Sequence, residues 1–427
     1  MLETMRIKPF QKRYTVPGDK SISHRAVLFG AIAKGKTYID GFLHGEDCLS
    51  TVSCLRQLGV DIQMENESSL VIYGQGVEGL QSPLKPLDVG NSGTTIRLML
   101  GILAGTKVSA VLVGDDSIAR RPMSRVVEPL RLMGAQIEGR EHGRFTPLTV
   151  QGSRLSGTHY NSPIASAQVK SALLLAGLQA EGKTVIRETI HSRNHTEMML
   201  PGFGVEVITN GLEVMVPGKQ SLIGTHVKVP GDLSSAAFLW AAALMVPGSR
   251  MTVEDVGINP TRTGILDVFV QMGATVEIEQ TGVWCNEPIG NVTVYGDDLK
   301  GVEIGGTLIP RLIDEIPILA VIAAQANGRT IIRDASELKV KETNRITTTV
   351  MELQKIGVNI SETEDGMVIE GGNEIQGGMC SSHGDHRIGM ALAIAGLAAR
   401  DGVRVNGAEA IKVSFPSFES IITQLSV

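Results

Sequence analysis

The chain contains 427 residues, of which 42% are hydrophobic and 20% are charged, so it is able to bury one or two sizeable cores and is not a disordered protein. Lys and Arg number 39 and Asp and Glu number 45, and the resulting net charge of −6 argues against a general nucleic-acid binder. Glycine is in excess, with 49 residues or about 11% of the chain against a usual ~7%.

We expect one strand near the start of the chain, over residues 6–16, and no secretory signal. The first 14 residues are basic but lack the apolar stretch of a secretory signal. The longest apolar run, residues 236–246, is shorter than the about 20 residues of a membrane span and predicts a buried helix. The four cysteines show no metal-ligand spacing. We therefore expect a cytoplasmic protein with free thiols that contacts neither membrane nor nucleic acid.

Six repeated segments follow in chain order. Each has a small or polar opening, about 14 residues with helical apolar spacing, a turn that contains glycine, and a β-branched strand. The segments begin at Val16, Gly90, Pro163, Val229, Ile313 and Gly384. The sequence VPGD at Val16 recurs at Val229, so these two openings mark the starts of two matching halves.

A second marker lies inside most of the repeated units. It places a glycine between a predicted second helix and an alternating strand, at Gly59, Gly134, Gly204, Gly273 and Gly357. A glycine in this position ends a helix in the left-handed conformation. The last unit ends instead in residues 418–427. Strands that alternate with helices predict an α/β or α+β fold, and six units grouped three and three give two domains of roughly 200 residues.

Positive charges lie in the first turns of several predicted helices, at Lys20, Arg25, Arg97, Lys170 and Arg387. A helix N-terminus attracts anions, and its dipole disfavours a cation there unless an anion occupies the site. We therefore expect small, acidic, phosphorylated substrates. Ordinary N-capping is the alternative, and it suffices for the opening at Asp232.

Two further segments concentrate charge. The first carries three arginines at a loop that enters a helix, Arg120, Arg121 and Arg125. In the second, Lys341 and Arg345 are spaced for one helical face, with Glu342 beside them. Either segment alone also suits a solvated surface. A carboxylate among cations is, however, typical of acid–base chemistry next to an anionic substrate.

Several motif matches do not fit their structural context. Residues 30–37 and 177–184 satisfy the phosphate-loop pattern, but there the glycine closes a predicted helix and precedes a strand, which is the reverse of a phosphate loop. Residues 74–79 satisfy the dinucleotide pattern, but the prolines that follow forbid a helix. His191 and His195 lack a third metal ligand. We expect neither a nucleotide cofactor nor a metal.

Several motifs resemble the 5-enolpyruvylshikimate-3-phosphate synthase (EPSP synthase) family. They are GDKSISHR at 18–25, GNSGTTIR at 90–97, RRPMSRVVEPL at 120–130, SAQVKSALLLAGL at 166–178, KETNR at 341–345 and GDHRIGMA at 384–391. They occur in order over essentially the whole chain. RNHTE at 193–197 and NPTR at 259–262 resemble the class II subgroup of this family.

The resemblance implies an enolpyruvyl transferase fold of two domains, each built from three βαβαββ units as an inverse α/β barrel, which close on the substrates by induced fit. In the family the N-terminal strand joins the C-terminal domain. We therefore expect one domain at 1–18 with 228–427 and another at 19–227, with crossings near 16–20 and 226–231.

The resemblance also implies a reaction of the shikimate pathway of aromatic amino-acid and chorismate biosynthesis. The enolpyruvyl (1-carboxyvinyl) group of phosphoenolpyruvate is transferred to the 5-hydroxyl of shikimate 3-phosphate, and phosphate is released. We expect a monomer that needs no cofactor and binds these two small molecules.

Site residues follow from the matching motifs. Those implied to bind shikimate 3-phosphate are Lys20, Ser21, Arg25, Ser166, Gln168, Arg193, Asp314 and Lys341. Those implied to bind phosphoenolpyruvate are Lys20, Gly93, Arg121, Gln168, Arg345 and Arg387. Three of the implied residues are catalytic. Asp314 accepts the proton of the attacking hydroxyl, Glu342 protonates and later deprotonates the methylene carbon, and Lys20 neutralises phosphate charge and assists proton transfer.

The sequence departs from the family pattern at some positions, and two other functions compete with the one that the resemblance implies. Val413 stands where class I members have a lysine, with Lys412 one place earlier, so Lys412 is left out of the site. Many class II members have alanine in place of Gly93, so glyphosate sensitivity stays open.

One alternative function is that of the UDP-N-acetylglucosamine enolpyruvyl transferase, whose loop carries a cysteine where this chain reads GDDSIARRP at 114–122. The other is a non-catalytic protein that binds small anions, to which Asp314 and Glu342 would add only repulsion.

Overall fold

A computed structural model describes residues 1–425, in which the chain forms two compact units. The N-repeat unit consists of Gly18–Val229 and Trp284–Glu287, and it contains the first three sequence repeats. The C-repeat unit consists of Met1–Pro17, Pro230–Val283 and the residues from Pro288 onwards. The predicted domain limits stay a prediction, and no sequence pattern indicated the separate segment Trp284–Glu287.

Three buried helices form the centre of the N-repeat unit, at Lys20–Ile32, Gly93–Ala104 and Ala167–Gly177. Each begins at a side-chain cap, because an oxygen of Asp19, Ser92 or Ser166 accepts a hydrogen bond from a backbone N–H of the first turn. Their apolar residues are distributed all round, which is the pattern of a helix buried on every side.

Three sheets and the shorter helices complete the N-repeat unit. The strands of the first sheet are Ala33–Asp40, Asp61–Met64, Ser69–Gln75, Leu222–Ile223 and His226–Lys228; those of the second are Leu87–Asp88, Ser109–Val113, Gln136–Gly139 and Phe145–Gln151; those of the third are His159–Asn161, Lys183–Arg187, Ile208–Asn210 and Glu213–Pro217. The other helices are Glu46–Gln57, Asp116–Arg120, Ser124–Leu132, Arg140–Gly143 and His195–Met199, with 3₁₀ turns at Val77–Gly79 and Leu200–Phe203.

The C-repeat unit repeats this plan around the buried helices Leu233–Leu244, Ile316–Gln325 and His386–Gly396, which contact one another. All residues of Leu233–Leu244 are buried, so the predicted buried helix is confirmed. Asp232 and Asp385 cap the first and third of these helices, whereas the 3₁₀ turn Ile313–Glu315 leads into the second.

The remaining elements of the C-repeat unit are likewise three sheets with short helices. The strands are Gln11–Tyr14, Arg250–Gly257, Val276–Trp284 and Glu287–Tyr295; Glu303–Ile304, Arg329–Ile332, Asn359–Glu362 and Met367–Glu370; and Leu2–Thr4, Gly378–Ser381 and Val403–Asn406. The helices are Gly264–Gln271, Ile309–Leu312, Arg345–Lys355 and Phe418–Leu425, with 3₁₀ turns at Gly306–Leu308, Ser336–Val340 and Ala408–Val413.

Within each sheet, a parallel pair of strands continues into antiparallel neighbours. Leu87–Asp88 runs parallel to Ser109–Val113, which pairs antiparallel with Phe145–Gln151. Burial alternates along Phe145–Gln151, so one face of this sheet covers the helices and the other is exposed. The chain start adds Gln11–Tyr14 parallel to Arg250–Gly257, and it adds Leu2–Thr4, a strand that the sequence analysis missed, to a sheet of the C-repeat unit.

The glycine markers are confirmed. Gly59, Gly134, Gly204, Gly273 and Gly357 all have φ angles between 79° and 99°. Another glycine permits close helix packing, because a Cβ at Gly101 would lie 2.2 Å from the carbonyl oxygen of Ala172 in the neighbouring buried helix. Part of the glycine excess therefore ends helices, and part brings them together.

The false phosphate loops are also explained. In residues 177–184, the helix ends at Gly177 and the strand begins at Lys183, so the glycine-lysine pair follows a helix and opens a strand, as predicted. In residues 30–37, the helix ends at Ile32 and Gly35 lies inside the strand Ala33–Asp40, so the prediction that this glycine closes the helix is wrong. Neither glycine-lysine pair opens a helix, as a phosphate loop requires. Among residues 1–425, no helix is both long enough and apolar enough to cross a membrane.

Candidate active site

The first buried helix of the N-repeat unit starts with a lysine held by a carboxylate. Asp19 Oδ1 accepts the backbone N–H of Ile22 at 2.9 Å, which fixes Lys20 as the first residue of the helix. Lys20 Nζ lies 2.9 Å from Oδ2 of Asp47, whose side chain is 11% exposed. No sequence motif indicated Asp47, because an acidic residue in the first turn of the helix Glu46–Gln57 is also explained by ordinary dipole stabilisation.

Arg25 is buried one turn further along and ties three parts of the N-repeat unit together. Its Nε donates to Thr196 Oγ1 and one Nη donates to Ser171 Oγ, both at 2.7 Å. Its other Nη donates to the backbone carbonyl of Ser21 at 2.9 Å. Burial lowers the pKa of the Arg25 guanidinium to about 10, and the nearby carboxylate of Glu197 opposes this effect. Arg25 therefore organises the site as well as supplying positive charge.

Two guanidinium groups lie at the start of the helix Gly93–Ala104. A Cβ added to Gly93 would lie 3.2 Å from Arg121 Nη1 and 3.2 Å from Arg97 Nη1. Arg121 is oriented by Asn91, whose Oδ1 accepts from Nη2 at 2.7 Å. Backbone N–H groups at a helix start, combined with two guanidinium groups, form a strong anion site. Arg97, which was not among the residues implied to bind phosphoenolpyruvate, thus lies beside two that were, Gly93 and Arg121.

The third buried helix contributes Ser166 and Gln168. Ser166 Oγ accepts the backbone N–H of Val169 at 3.4 Å and so acts as the helix cap. Gln168 Nε2 donates to Thr94 Oγ1 at 3.0 Å, and Gln168 Oε1 accepts a short hydrogen bond from Arg97 Nη1. The structure therefore brings Gln168 and Gly93 into one cluster, as their shared predicted role requires.

Lys170, on the same helix, was wrongly interpreted as a cation awaiting an anionic ligand. It is 3% exposed, and its Nζ lies 2.7 Å from both Glu188 Oε2 and Glu197 Oε1. Its charge is therefore matched inside the protein. Arg193, which lies between these two glutamates in sequence, is half-buried and stays a predicted ligand of shikimate 3-phosphate.

In the C-repeat unit, Arg345 joins three carboxylates. Its guanidinium is 1% exposed and lies 3.2 Å from Asp314 Oδ1, 2.6 Å from Glu342 Oε2 and 2.8 Å from Asp385 Oδ2. The charges of Asp385, Glu342 and Asp314 outweigh the effect of burial and raise the pKa of Arg345 above its already high value. Asp314 and Glu342, the two predicted acid–base residues, are therefore held by one cation.

The predicted helical face for Lys341 and Arg345 is wrong. The helix begins at Arg345, capped by Asn344, and Lys341 precedes it in an extended conformation. The two cations nevertheless meet at the same carboxylate oxygen, because Lys341 Nζ lies 3.3 Å from Asp314 Oδ1. The cap at Asn344 stops the helix before it reaches Lys341, and spacing alone could not reveal this.

Arg387 belongs to a second network of the C-repeat unit. Its Nη1 lies 3.6 Å from Oε1 of Glu315, a side chain with 0% exposure. The same Glu315 oxygen accepts a short hydrogen bond from Ser234 Oγ, which also accepts from Arg262 Nη2 at 2.6 Å. The opening at Asp232, which includes Ser234, was explained by ordinary N-capping, and no motif indicated Glu315. The only available signal for Glu315 was its position next to Asp314.

The two clusters suit different parts of one chemistry. The N-repeat cluster is rich in cations, namely Lys20, Arg25, Arg97, Arg121 and Arg193, and two of them, Arg97 and Arg121, lie at the start of the helix Gly93–Ala104, a position that favours anions. The C-repeat cluster fixes two carboxylates beside cations, which suits proton transfer next to charged substrates. Together with the six-unit α/β fold, these features define a group-transfer enzyme that acts on small phosphorylated acids.

Comparison with known proteins gives the family. Residues 5–422 match the profile of EPSP synthase (3-phosphoshikimate 1-carboxyvinyltransferase), and the chain belongs to this family. A 3-phosphoshikimate 1-carboxyvinyltransferase of Bacillus cytotoxicus is 56% identical over 418 residues, which cover 98% of both chains. One from Brevibacillus brevis is 54% identical over 426 residues, which cover 100% of both. The structure of an EPSP synthase from Acinetobacter baumannii matches with a TM-score of 0.88 at 42% identity, covering 100% of this chain and 98% of that one.

The family resemblance and the α/β fold predicted from the sequence are thereby confirmed. The class II assignment and the role of each site residue stay predictions.

Proposed function

We propose that this protein transfers the enolpyruvyl group of phosphoenolpyruvate to the 5-hydroxyl of shikimate 3-phosphate and releases inorganic phosphate. The observation that carries the proposal is the pair of carboxylates, Asp314 and Glu342, held on the single buried guanidinium of Arg345. The reaction needs one group that takes a proton from a hydroxyl and one that gives a proton to a carbon. Membership of the family supports the same reaction.

Substrate binding has to overcome repulsion, because each substrate carries both a phosphate and a carboxylate. The helix start at Gly93, flanked by Arg121 and Arg97, suits the phosphate of phosphoenolpyruvate. Arg25 and Arg193 suit the anionic groups of shikimate 3-phosphate. Neutralising both anions lets the hydroxyl approach C2 of phosphoenolpyruvate in a reactive orientation.

In the first step, Asp314 accepts the proton of the 5-hydroxyl while the oxygen attacks C2 of phosphoenolpyruvate. Glu342, which takes up a proton from solvent before this step, gives that proton to C3, so the methylene group becomes a methyl group and positive character develops at C2. A new C–O bond forms, and the phosphate is still attached to C2. General acid–base assistance of this kind contributes about 10²–10⁴-fold to rate for each group.

In the second step, Glu342 removes a proton from the C3 methyl group and recovers its original protonation state. The C2–C3 double bond re-forms as the C2–O bond to phosphate breaks, and its electron pair leaves with the phosphate. Lys20 neutralises the charge of this leaving group. The proton held by Asp314 leaves with the phosphate, which returns the site to its starting state.

Phosphate release tests the proposal. Wild-type protein should release phosphate only when phosphoenolpyruvate and shikimate 3-phosphate are both present. Release with UDP-N-acetylglucosamine in place of shikimate 3-phosphate would favour the rival transferase, and tight binding without release would favour a non-catalytic protein. Neither rival has a supporting observation, since the matched family is EPSP synthase. Action in the cytoplasm as a monomer, without a cofactor, stays part of the proposal.

A further inference from the structure

Residues 188–197 of the N-repeat unit form a segment that we call the Arg193 segment. It follows the strand Lys183–Arg187, includes the first three residues of the helix His195–Met199 and carries Arg193 near its middle. A glutamate lies at each end, Glu188 and Glu197, and their side chains are 4% and 6% exposed. The ends of the segment therefore carry buried charge, which is costly unless it is paired.

Lys170 forms ion pairs with the glutamates at both ends of the Arg193 segment. Lys170 Nζ lies 2.7 Å from Glu188 Oε2 and 2.7 Å from Glu197 Oε1. Although burial alone lowers the pKa of Lys170, the carboxylates of Glu197 and Glu188 outweigh it and raise that pKa above its usual value. The ammonium group thus stays charged and joins the two ends of the segment from the buried helix Ala167–Gly177.

Further polar contacts hold the interior of the segment. Ser192 Oγ donates to Glu188 Oε1, and His195 Nδ1 lies 2.7 Å from Glu287 Oε1. Thr196 Oγ1 lies 2.7 Å from Ser171 Oγ and accepts from Arg25 Nε at the same distance. Movement at Glu197 would therefore reach Arg25 through the neighbouring Thr196.

We infer that Lys170 is a positioning residue for shikimate 3-phosphate, because it fixes both ends of the segment that carries Arg193 and, through Thr196, the orientation of Arg25. Lys170 itself is too deeply buried to contact a substrate. The inference rests on the proposed function, since Arg193 and Arg25 are the residues proposed to hold that substrate. Such a residue should affect the binding of shikimate 3-phosphate more than that of phosphoenolpyruvate.

Steady-state kinetics of Lys170→Met test this difference. The variant leaves two buried carboxylates without their shared cation, so we expect the KM for shikimate 3-phosphate to rise by about tenfold or more. The KM for phosphoenolpyruvate at saturating shikimate 3-phosphate, and kcat, should each change less than about threefold. Lys170→Arg keeps the charge and should recover most of the loss. Glu188→Gln, which releases one end only, should give a smaller increase and serves if Lys170→Met does not fold.

Leu173→Ala is the matched control. Leu173 lies on the same helix and is 0% exposed, so its truncation should lower Tm without a selective change in either KM. The inference would be overturned by an unchanged KM for shikimate 3-phosphate in Lys170→Met or Glu188→Gln. Equal increases in the KM values of both substrates, as expected of general damage to the fold, would also overturn it. Wild-type protein that neither turns over nor binds shikimate 3-phosphate in calorimetry would refute the proposed function itself, and the inference would fall with it.

Discussion

His24 should lower the free energy of unfolding at mildly acidic pH, because the folded structure disfavours the protonated form of its buried ring. The ring is 0% exposed, and its Nδ1 lies 2.7 Å from Thr51 Oγ1. Burial is the largest cause that lowers the pKa of His24 to about 3; Asp47 opposes it, and Lys20 and Arg25 add to it. A third cation at this helix start is therefore strongly disfavoured.

The sign and size of the effect follow from proton linkage. A histidine in the unfolded chain has a pKa of about 6.5, so between pH 6.5 and 3 the unfolded state binds a proton that the folded state does not. Above pH 6.5 His24 therefore has little effect on the free energy of unfolding. As the pH falls below 6.5, proton binding to His24 in the unfolded state lowers that free energy. At pH 5, about 1.5 pH units below the unfolded pKa, the loss amounts to roughly 2 kcal/mol at 1.36 kcal/mol per unit.

The comparison with His24→Asn isolates this effect. The amide can still meet Thr51 but does not titrate, and the other ionisable groups cancel between the two proteins. Urea unfolding followed by circular dichroism at pH 7 and pH 5 should show that wild type loses about 2 kcal/mol more than the variant. Equal losses in the two proteins, within about 0.5 kcal/mol, would show that His24 is not held neutral by its surroundings.

The remaining predictions concern the two clusters. Glu342→Gln should lower kcat by about 10²–10⁴-fold while calorimetry still detects substrate binding, and near-normal turnover would remove Glu342 from its proposed role. Gly93→Ala places a methyl group 3.2 Å from two guanidinium nitrogens, so the KM for phosphoenolpyruvate should rise by about tenfold with little change for shikimate 3-phosphate; a parallel change in both would contradict this. Asp385→Asn removes a buried charge 2.8 Å from Arg345 and should lower the free energy of unfolding by about 3 kcal/mol, whereas an unchanged Tm would show that Arg345 does not need it.

Much of the fold could be predicted because the sequence repeats its local signals. Capping side chains open five of the six buried helices, and left-handed glycines follow the second helices, so most of these boundaries have a local physical cause. The strand Leu2–Thr4 could not be found in this way. Its place depends on pairing with Val403–Asn406, about 400 residues away, and three residues carry too little pattern.

Candidate site residues could be proposed from motifs, whereas the side chains that contact them could not. Motifs indicated Lys20, Arg345 and Arg387, but not the carboxylates Asp47 and Glu315 that lie beside the first and the third of them. Asp385 lies inside the motif GDHRIGMA, but its ion pair with Arg345 was not predicted. A buried carboxylate that pairs with a cation far away in sequence produces no periodic pattern in the sequence. The same is true of a buried cation such as Lys170. Its position at a helix start suggested that it binds a ligand, but its partners are glutamates that lie 18 and 27 residues further along the chain.

Isotope transfer tests the central claim most directly. Phosphoenolpyruvate labelled with ¹⁸O in the oxygen that bridges C2 and phosphorus is incubated with shikimate 3-phosphate and the wild-type protein. Because the proposed reaction breaks the C2–O bond, the label should appear in inorganic phosphate, with one equivalent of unlabelled enolpyruvyl ether formed. Label recovered in pyruvate without any ether product would mean that the protein cleaves the O–P bond, and would contradict enolpyruvyl transfer.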